Sequence, residues 1–296
     1  MTQRFGGHWT DEKLEQLRKY LAAYMRIMTV NRSATFFRKV YFDAFAGSGE
    51  RVDASASDLL TVEGDPEAAG LRNGSVHVAL GTSPPFDEFI FVEKNAVYAT
   101  KLEALREQYP DRRDKIRIVR GDANDALVRL CRTTDWTKTR AVVFLDPYGM
   151  QVDWTTIEEI AATEAIDLWI LFPLGQGVNR LLTRDAPPPD AWAARLTRFF
   201  GNEEWRSRFY RPKMQPGLFD SPDAVEKDAG LAAIGDYFLA RLKTIFPGVV
   251  EPALPLRNSK GAPIFLLCFA AGNPKGAPTA VKIARDDIMK AWGGGR

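Results

Sequence analysis

Short apolar runs alternate with segments of helical spacing between residues 86 and 173. The runs are predicted strands that end at Glu93, near Asp122, at Asp146 and near Pro173. Apolar residues at every third or fourth position predict helices between them, over residues 96–109, 123–133 and 154–163. This alternation is typical of βαβ units with a parallel sheet. The runs AVVFL and LWILF suit strands that are covered on both faces.

The pattern on either side completes the predicted architecture. An amphipathic helix over residues 10–30 precedes a strand from Lys39 to Phe45. Beyond Leu182 come a Pro-rich connector, two short helices and a long helix over residues 224–246. Two extended runs around RNSKG then predict an antiparallel hairpin. We therefore predict an α/β, Rossmann-like fold with a mostly parallel sheet of seven strands, closed by a C-terminal hairpin.

The same pattern divides the chain into four segments. The N-terminal helical segment covers residues 1–38, and the Rossmann-like core covers residues 39–182. Residues 183–223 are predicted to be an insertion that serves as a lid or a docking surface. Residues 224–296 supply the helix and hairpin that complete the same domain.

Composition restricts the classes of function. The 296 residues are 45% hydrophobic and 26% charged, with a net charge of +2. This balance argues against a strong general attraction to nucleic acid or membranes, although it leaves room for a local basic patch. The two cysteines and two histidines lack the spacing of a metal site. Few cysteines, no signal peptide and no long apolar run favour the cytoplasm.

The first predicted strand ends in the sequence YFDAFAGSGE. Ligands of open parallel sheets bind beyond the carboxyl ends of the strands, where this chain has Asp43, Phe45, Gly47, Ser48 and Gly49. Two glycines allow a backbone to approach a ligand closely, but they also suit a tight turn without a ligand. A dinucleotide fingerprint expects a third glycine where Val52 stands. A carboxylate at Asp43 suits a ligand that carries a positive ammonium group.

The next strand ends carry further candidate ligand residues. Glu93 ends FIFVE, and its carboxylate can accept hydrogen bonds from a ribose diol, or it is a solvated loop acid. Asp122 in RGDAND can accept from an adenine amino group, can cap the following helix, or can do both. Asn179 and Arg180 follow the fifth strand, where they face the pocket or a substrate anion, or simply begin a helix.

The turn FLDPYG follows the fourth predicted strand. It places the Asp146 carboxylate, the Pro147 carbonyl and the Tyr148 ring on one rim. These groups are predicted to position the acceptor of a reaction, and Asp146 is also assigned to the donor site. The competing interpretation is a Pro-containing turn before a helix. His77 is interpreted as structural, and no Ser/His/Asp or Cys/His set for covalent catalysis is evident.

Taken together, the sequence resembles class I S-adenosylmethionine-dependent methyltransferases. More narrowly, it resembles the three-Cys-motif partner protein family (TcmP), over about His8 to Met289. The resemblance is carried by EKLEQLRKYLAAY, FDAFAGSGE, GSVHVAL, FVEKN, FLDPYG, LFPLGQGVNRLL and SKGAPIFLLCFAAGNPKG.

The resemblance implies a class I methyltransferase fold that binds S-adenosyl-L-methionine. Asp43 and the glycine loop would line the methionine part, Glu93 the ribose, and Asp122 with Ala123 the adenine. In amino-methyltransferases the Asp-Pro-aromatic turn grips an exocyclic amino group, but their usual pattern has a second proline that this chain lacks. The family also implies a separate partner with three cysteines that resembles radical, iron–sulfur enzymes.

Three hypotheses follow. The first is a methyltransferase whose acceptor is a nucleobase in DNA or RNA, supported by DPYG and the basic segment RFYRPK. The second is a non-catalytic S-adenosylmethionine-binding or scaffold subunit of the three-cysteine protein. The third, a nucleotide-dependent oxidoreductase, is disfavoured by Asp43 and by the missing third glycine.

Overall fold

Eight strands pair into one mixed sheet within the part of the chain that the computed structural model describes, residues 8–47, 74–214 and 224–293. They are β1 (Arg38–Asp43), β2 (Glu88–Glu93), β3 (Ile116–Arg120), β4 (Thr139–Leu145), β5 (Ile166–Phe172), β8 (Gly248–Val249), β9 (Leu254–Arg257) and β10 (Pro263–Ala271). A separate antiparallel pair consists of β6 (Tyr210–Pro212) and β7 (Val225–Lys227).

The strand order is β3-β2-β1-β4-β5-β10, with β8 and β9 both paired to β10. Strands β1 to β5 are parallel, whereas β10 runs antiparallel to β5 and to β9. The predicted Rossmann-like α/β class and the C-terminal hairpin are therefore confirmed. The predicted count of seven strands is one too few, because two short strands share the outer edge of β10. There β9 pairs with residues 263–267, and β8 pairs with Ala270 and Ala271.

Helices cover both faces of the sheet. They are α1 (His8–Val30), α2 (Ser75–Gly81), α3 (Ala96–Gln108), α4 (Ala123–Thr133), α5 (Trp154–Ala162), α6 (Asn179–Leu181), α7 (Asp190–Phe200), α8 (Trp205–Phe209), α9 (Leu231–Lys243) and α10 (Ala277–Gly293). Alternate residues of each strand face opposite sides. Tyr41 accordingly belongs to the core under α1, α2 and α10, while Val40 and Phe42 belong to the core under α4, α5, α7 and α9.

The N-terminal helix α1 lies across the sheet with its first half at the carboxyl ends of the strands. Near its start, Lys13 Nζ donates to Asp146, which directly follows β4. Two turns later, the Tyr20 hydroxyl donates to Asp167 Oδ2, near the start of β5, at 2.7 Å. Because Leu17, Leu21 and other apolar residues of this face are buried, packing fixes the helix in this direction.

Residues after Leu182 pack onto the same core instead of forming a separate unit. Phe199 and Phe200 of α7 and Trp205 of α8 are buried in the cluster that contains Phe172 of β5. The predicted helix over residues 224–246 begins only at Leu231, because Val225–Lys227 pairs with Tyr210–Pro212. Whether residues 183–223 act as a lid or a docking surface stays a prediction, and residues 215–223 lie outside the described residues.

Among the helices of the described ranges, none combines the length and the apolar character that crossing a bilayer requires.

Candidate active site

Three carboxylates lie at neighbouring strand ends on one edge of the sheet. Asp43 is the last residue of β1, and it stands opposite Phe91 of β2 and Phe144 of β4. Glu93 and Asp146 follow those two residues by two positions each, so their carboxylates flank the end of β1. Parallel strands expose their carboxyl ends at a common edge, which is where ligands of such sheets bind.

The turn after β1 crosses between the two neighbouring strands. The backbone N–H of Ala44 donates to Phe144 O at 3.2 Å, and that of Ala46 donates to Val92 O at 3.0 Å. Gly47 then has a φ of +63°, a conformation that L side chains rarely adopt. Phe45 is half-buried against the core and its N–H donates to Asp43 Oδ1 at 3.1 Å. The predicted site residues Ser48 and Gly49 lie outside the described residues.

The Asp43 side chain is fully buried, with 0% exposure. The pKa of its carboxyl is raised to about 7, chiefly by burial and also by the nearby Asp146, while the Ser75 hydroxyl, the Phe45 N–H and Lys13 limit the rise. The Ser75 hydroxyl is close enough to lower this pKa, but its position does not meet hydrogen-bond geometry, and Asp43 Oδ2 has no hydrogen-bond partner among the described residues. An unpaired buried oxygen is costly, so this atom is suited to receive a donor or a positive charge from a ligand.

Glu93 and Asp122 retain acceptor capacity at the next two strand ends. Glu93 is buried, and its Oε1 accepts from the Asn95 N–H at 2.6 Å. Asp122 caps α4, because its Oδ1 accepts from the Asn124 N–H at 2.9 Å, and its Oδ2 lies 3.7 Å from Lys94 Nζ. The structure thus shows the capping role of Asp122, and its proposed adenine contact stays a prediction. Ala123 is buried as the first residue of α4.

Asp146 is held by a residue that sequence reasoning missed. Lys13 Nζ lies 2.5 Å from Asp146 Oδ2, and the Lys13 side chain is 0% exposed. In the sequence, Lys13 could have been found by its position on the apolar face of α1, four residues before Leu17. Pro147 is buried and Tyr148 is half-buried, so the DPYG turn presents a ring, but its carboxylate is already paired.

Asn124 links the DPYG loop to two helices. Its Nδ2 donates to Gln151 O at 2.9 Å, while its Oδ1 accepts from the Asp153 N–H at 3.0 Å and from the Thr156 hydroxyl at 2.9 Å. Sequence reasoning did not select this residue, although its place one residue into α4 was evident. It fixes the loop after β4 to the start of α4 and of α5.

Asn179 and Arg180 lie in α6, beyond β5. Asn179 Oδ1 accepts from Lys227 Nζ at 2.5 Å, and Arg180 is exposed. Desolvation lowers the pKa of Lys227, and Arg184 lowers it further. Nearby, a Cβ added to Gly149 of the DPYG loop would lie 3.7 Å from an Arg195 guanidinium nitrogen. Contact of Asn179 and Arg180 with a substrate stays a prediction.

His77 and the two cysteines lie in structural surroundings. His77 Nδ1 is 2.8 Å from the Tyr109 hydroxyl. Cys131 and Cys268 are both buried and free, and burial raises the pKa of each thiol, that of Cys131 to about 12. Reactive cysteines need a low pKa and access to solvent, so neither thiol is suited to nucleophilic chemistry.

Several solved structures are similar to this chain in fold. Protein LPL1258 from Legionella pneumophila, of the family DUF519, is 13% identical over 98% of this chain and 94% of its own, with a TM-score of 0.49. Spermidine synthase from Thermotoga maritima is 9% identical over 90% of this chain and 60% of its own, with a TM-score of 0.39. The YcgJ protein from Bacillus subtilis is 13% identical over 85% and 94%, with a TM-score of 0.29.

No protein-family model matches the chain. No curated protein matches it either.

Proposed function

We propose that this protein is an S-adenosyl-L-methionine-dependent methyltransferase. The observation that carries the proposal is Asp43 Oδ2, a fully buried carboxylate oxygen without a partner among the described residues, beside the turn at Gly47. The α-ammonium group of the donor would satisfy it and would favour the ionised carboxylate. Glu93, at the end of β2, would accept from the ribose hydroxyls, and Asp122 with Ala123 would border the adenine.

The residues of this chain would act mainly by positioning. When bound, S-adenosylmethionine supplies a methyl group that is activated by the positive sulfur. Asp43 and Glu93 would fix the donor, and Pro147 and Tyr148 would form the rim against which the acceptor lies. Correct alignment of two reactants accounts for a large part of the acceleration of such displacements, and none of these roles requires a metal ion.

The proposed acceptor is a nucleobase in DNA or RNA. Residues 179–213, which follow β5, contain eight Lys or Arg and four Asp or Glu. This excess exceeds the net charge of +2 for the whole chain. Within the segment, Arg198 and Arg211 pair with acidic residues outside it, Arg198 with Asp153 and Arg211 with Glu226 and Asp228. Arg195 lies beside the DPYG loop, and one turn earlier Trp192 is 41% exposed. Cationic side chains bind phosphates, and aromatic rings stack on bases.

Calorimetric titration tests the donor site. We expect micromolar binding of S-adenosylmethionine and S-adenosylhomocysteine and no binding of NAD. Asp43→Ala and Glu93→Ala should each weaken binding at least about tenfold, which is about 1.4 kcal/mol, while the exposed Asp114→Ala serves as the matched control. Unchanged affinity in both site variants overturns the donor site.

Transfer of a radiolabelled methyl group to single-stranded DNA or RNA tests the acceptor. We expect this transfer to be reduced in Arg195→Ala.

One observation favours a second candidate, a non-catalytic donor-binding subunit that works with a three-cysteine partner of the TcmP type. The Asp146 carboxylate, which would grip an amino group, is engaged by Lys13. Under this hypothesis the isolated protein binds S-adenosylmethionine but labels no nucleic acid. Labelling should then appear only after an iron–sulfur protein with three cysteines is added. Turnover by the isolated protein rules this candidate out.

A further inference from the structure

A buried lysine of the N-terminal helix lies inside the candidate site. Lys13 Nζ is 2.5 Å from Asp146 Oδ2 and 5.7 Å from the centroid of the Phe144 ring. Lysine is almost never fully buried unless its charge has a partner. Gln16 lies one turn further along α1, is buried, and its Oε1 has no partner among the described residues. Helix α1 therefore buries polar groups as well as apolar ones, and through Lys13 it reaches the carboxyl edge of the sheet.

The charges at this edge form one interacting set. Asp43 interacts with Lys13 from α1 and with Asp146 after β4, and Tyr41 of β1 interacts with both carboxylates. Helix α2 adds the uncharged hydroxyl of Ser75. When ionised, Asp43, Asp146 and Lys13 together carry one net negative charge, and Glu93 at the end of β2 adds a third buried carboxylate to this edge. Without the ammonium, two buried carboxylates would share the site, and such pairs do not both ionise near neutral pH.

We propose that helix α1 is part of the donor site and that Lys13 is a positioning residue, whose ammonium pairs with Asp146 and leaves Asp43 available for a cationic ligand group. The identity of the ligand in this inference rests on the proposed function. The coupling of Lys13, Asp146 and Asp43 does not depend on it. Lys13 therefore acts through Asp146 and Asp43 and does not itself touch the transferred methyl group.

The coupling is measured in the ligand-free protein, by carbon-13 NMR titration of the aspartate carboxyl groups. Lys13→Met should raise the titration midpoint of Asp43, because it removes a positive neighbour of that carboxyl group. Lys13→Arg should restore it, and Asp146→Asn should move it in the opposite direction, because a negative neighbour is removed. The matched control is Lys19→Met, since Lys19 lies on the exposed side of α1 and pairs with Glu15 at 3.5 Å.

The same variants are then titrated with S-adenosylmethionine across the pH range. The acidic limb of the affinity profile should move to higher pH in Lys13→Met and to lower pH in Asp146→Asn. If Lys13→Met fails to fold, the coupling is tested with Asp146→Asn and with the double variant Lys13→Met/Asp146→Asn. The double variant loses one charge of each sign, so its Asp43 should titrate close to that of the wild type.

Two results distinguish a failure of this inference from a failure of the proposed function. If the Asp43 midpoint of every folded variant overlays that of the wild type, the ion pair is only structural and the inference is overturned. If S-adenosylmethionine does not bind the wild type, the proposed function fails, whatever the NMR midpoints show. A purely structural role of Lys13 would lower the unfolding temperature of Lys13→Met without moving either pH profile.

Discussion

Replacement of Asp43 by Asn is expected to stabilise the ligand-free protein at neutral and alkaline pH. Burial raises the pKa of the Asp43 carboxyl to about 7 from an ordinary value of 3.8. The unfolded chain therefore loses the proton at a lower pH than the folded chain, and stability falls as the pH rises from about 4 to about 7. Asn keeps the size of the side chain and an oxygen for the Phe45 N–H, but it carries no charge.

The magnitude follows from the two pKa values. Each pKa unit corresponds to about 1.4 kcal/mol, so the buried carboxylate costs about 4 kcal/mol at pH 8 and about 2 kcal/mol at pH 5. The stability difference between Asp43→Asn and the wild type should therefore grow by about 2–3 kcal/mol between those two conditions. The full gain at pH 8 is an upper value, because the Asn amide must also be accommodated.

Urea unfolding of both proteins at pH 5 and pH 8 measures this difference. Asp114→Asn, an exposed carboxylate in the turn Pro110–Lys115, reports any general effect of removing a negative charge. A difference that stays constant with pH, or that shrinks as the pH rises, would refute the reasoning about burial. The same Asp43→Asn variant should bind S-adenosylmethionine at least about tenfold more weakly, so that stability is gained where function is lost.

Three further substitutions test the packing around the site. Gly201→Ala should destabilise the protein by about 1–3 kcal/mol, measured by thermal unfolding, because Gly201 has a φ of +76° and an added Cβ would lie 2.0 Å from Trp154 Cδ1. Asn124→Ala removes three hydrogen bonds and should lower the free energy of unfolding by about 1–3 kcal/mol. Hydrogen exchange at the Asp153 amide should become faster, and unchanged exchange would contradict the linking role of Asn124. Tyr20→Phe leaves Asp167 Oδ2 without its phenol donor and should cost about 1–3 kcal/mol in urea unfolding. Equal stability of variant and wild type would show that another group replaces the phenol.

Residues at the strand ends were predictable because their placement follows from local pattern and topology. Glu93 ends an apolar run that reads as a strand, and the next such run is separated from it by one helical segment. Parallel neighbours then bring Asp43, Glu93 and Asp146 to one edge without any knowledge of side-chain packing. The boundary at Leu231 was missed for the opposite reason, since Val225–Lys227 becomes a strand only through its pairing with residues 210–212.

By itself, the sequence determined the order of the elements, the parallel sheet and the edge at which the carboxylates meet, because hydrophobic period and turn chemistry are local properties of the chain. Only the tertiary structure decided that Lys13 reaches Asp146, 133 positions later in the sequence, and that Asp43 is removed from water. A lysine on an amphipathic helix looks the same in the sequence whether it faces solvent or a buried acid. The difference arises when the helix packs on the sheet, because burial and the proximity of opposite charges belong to the assembled core and not to either segment alone.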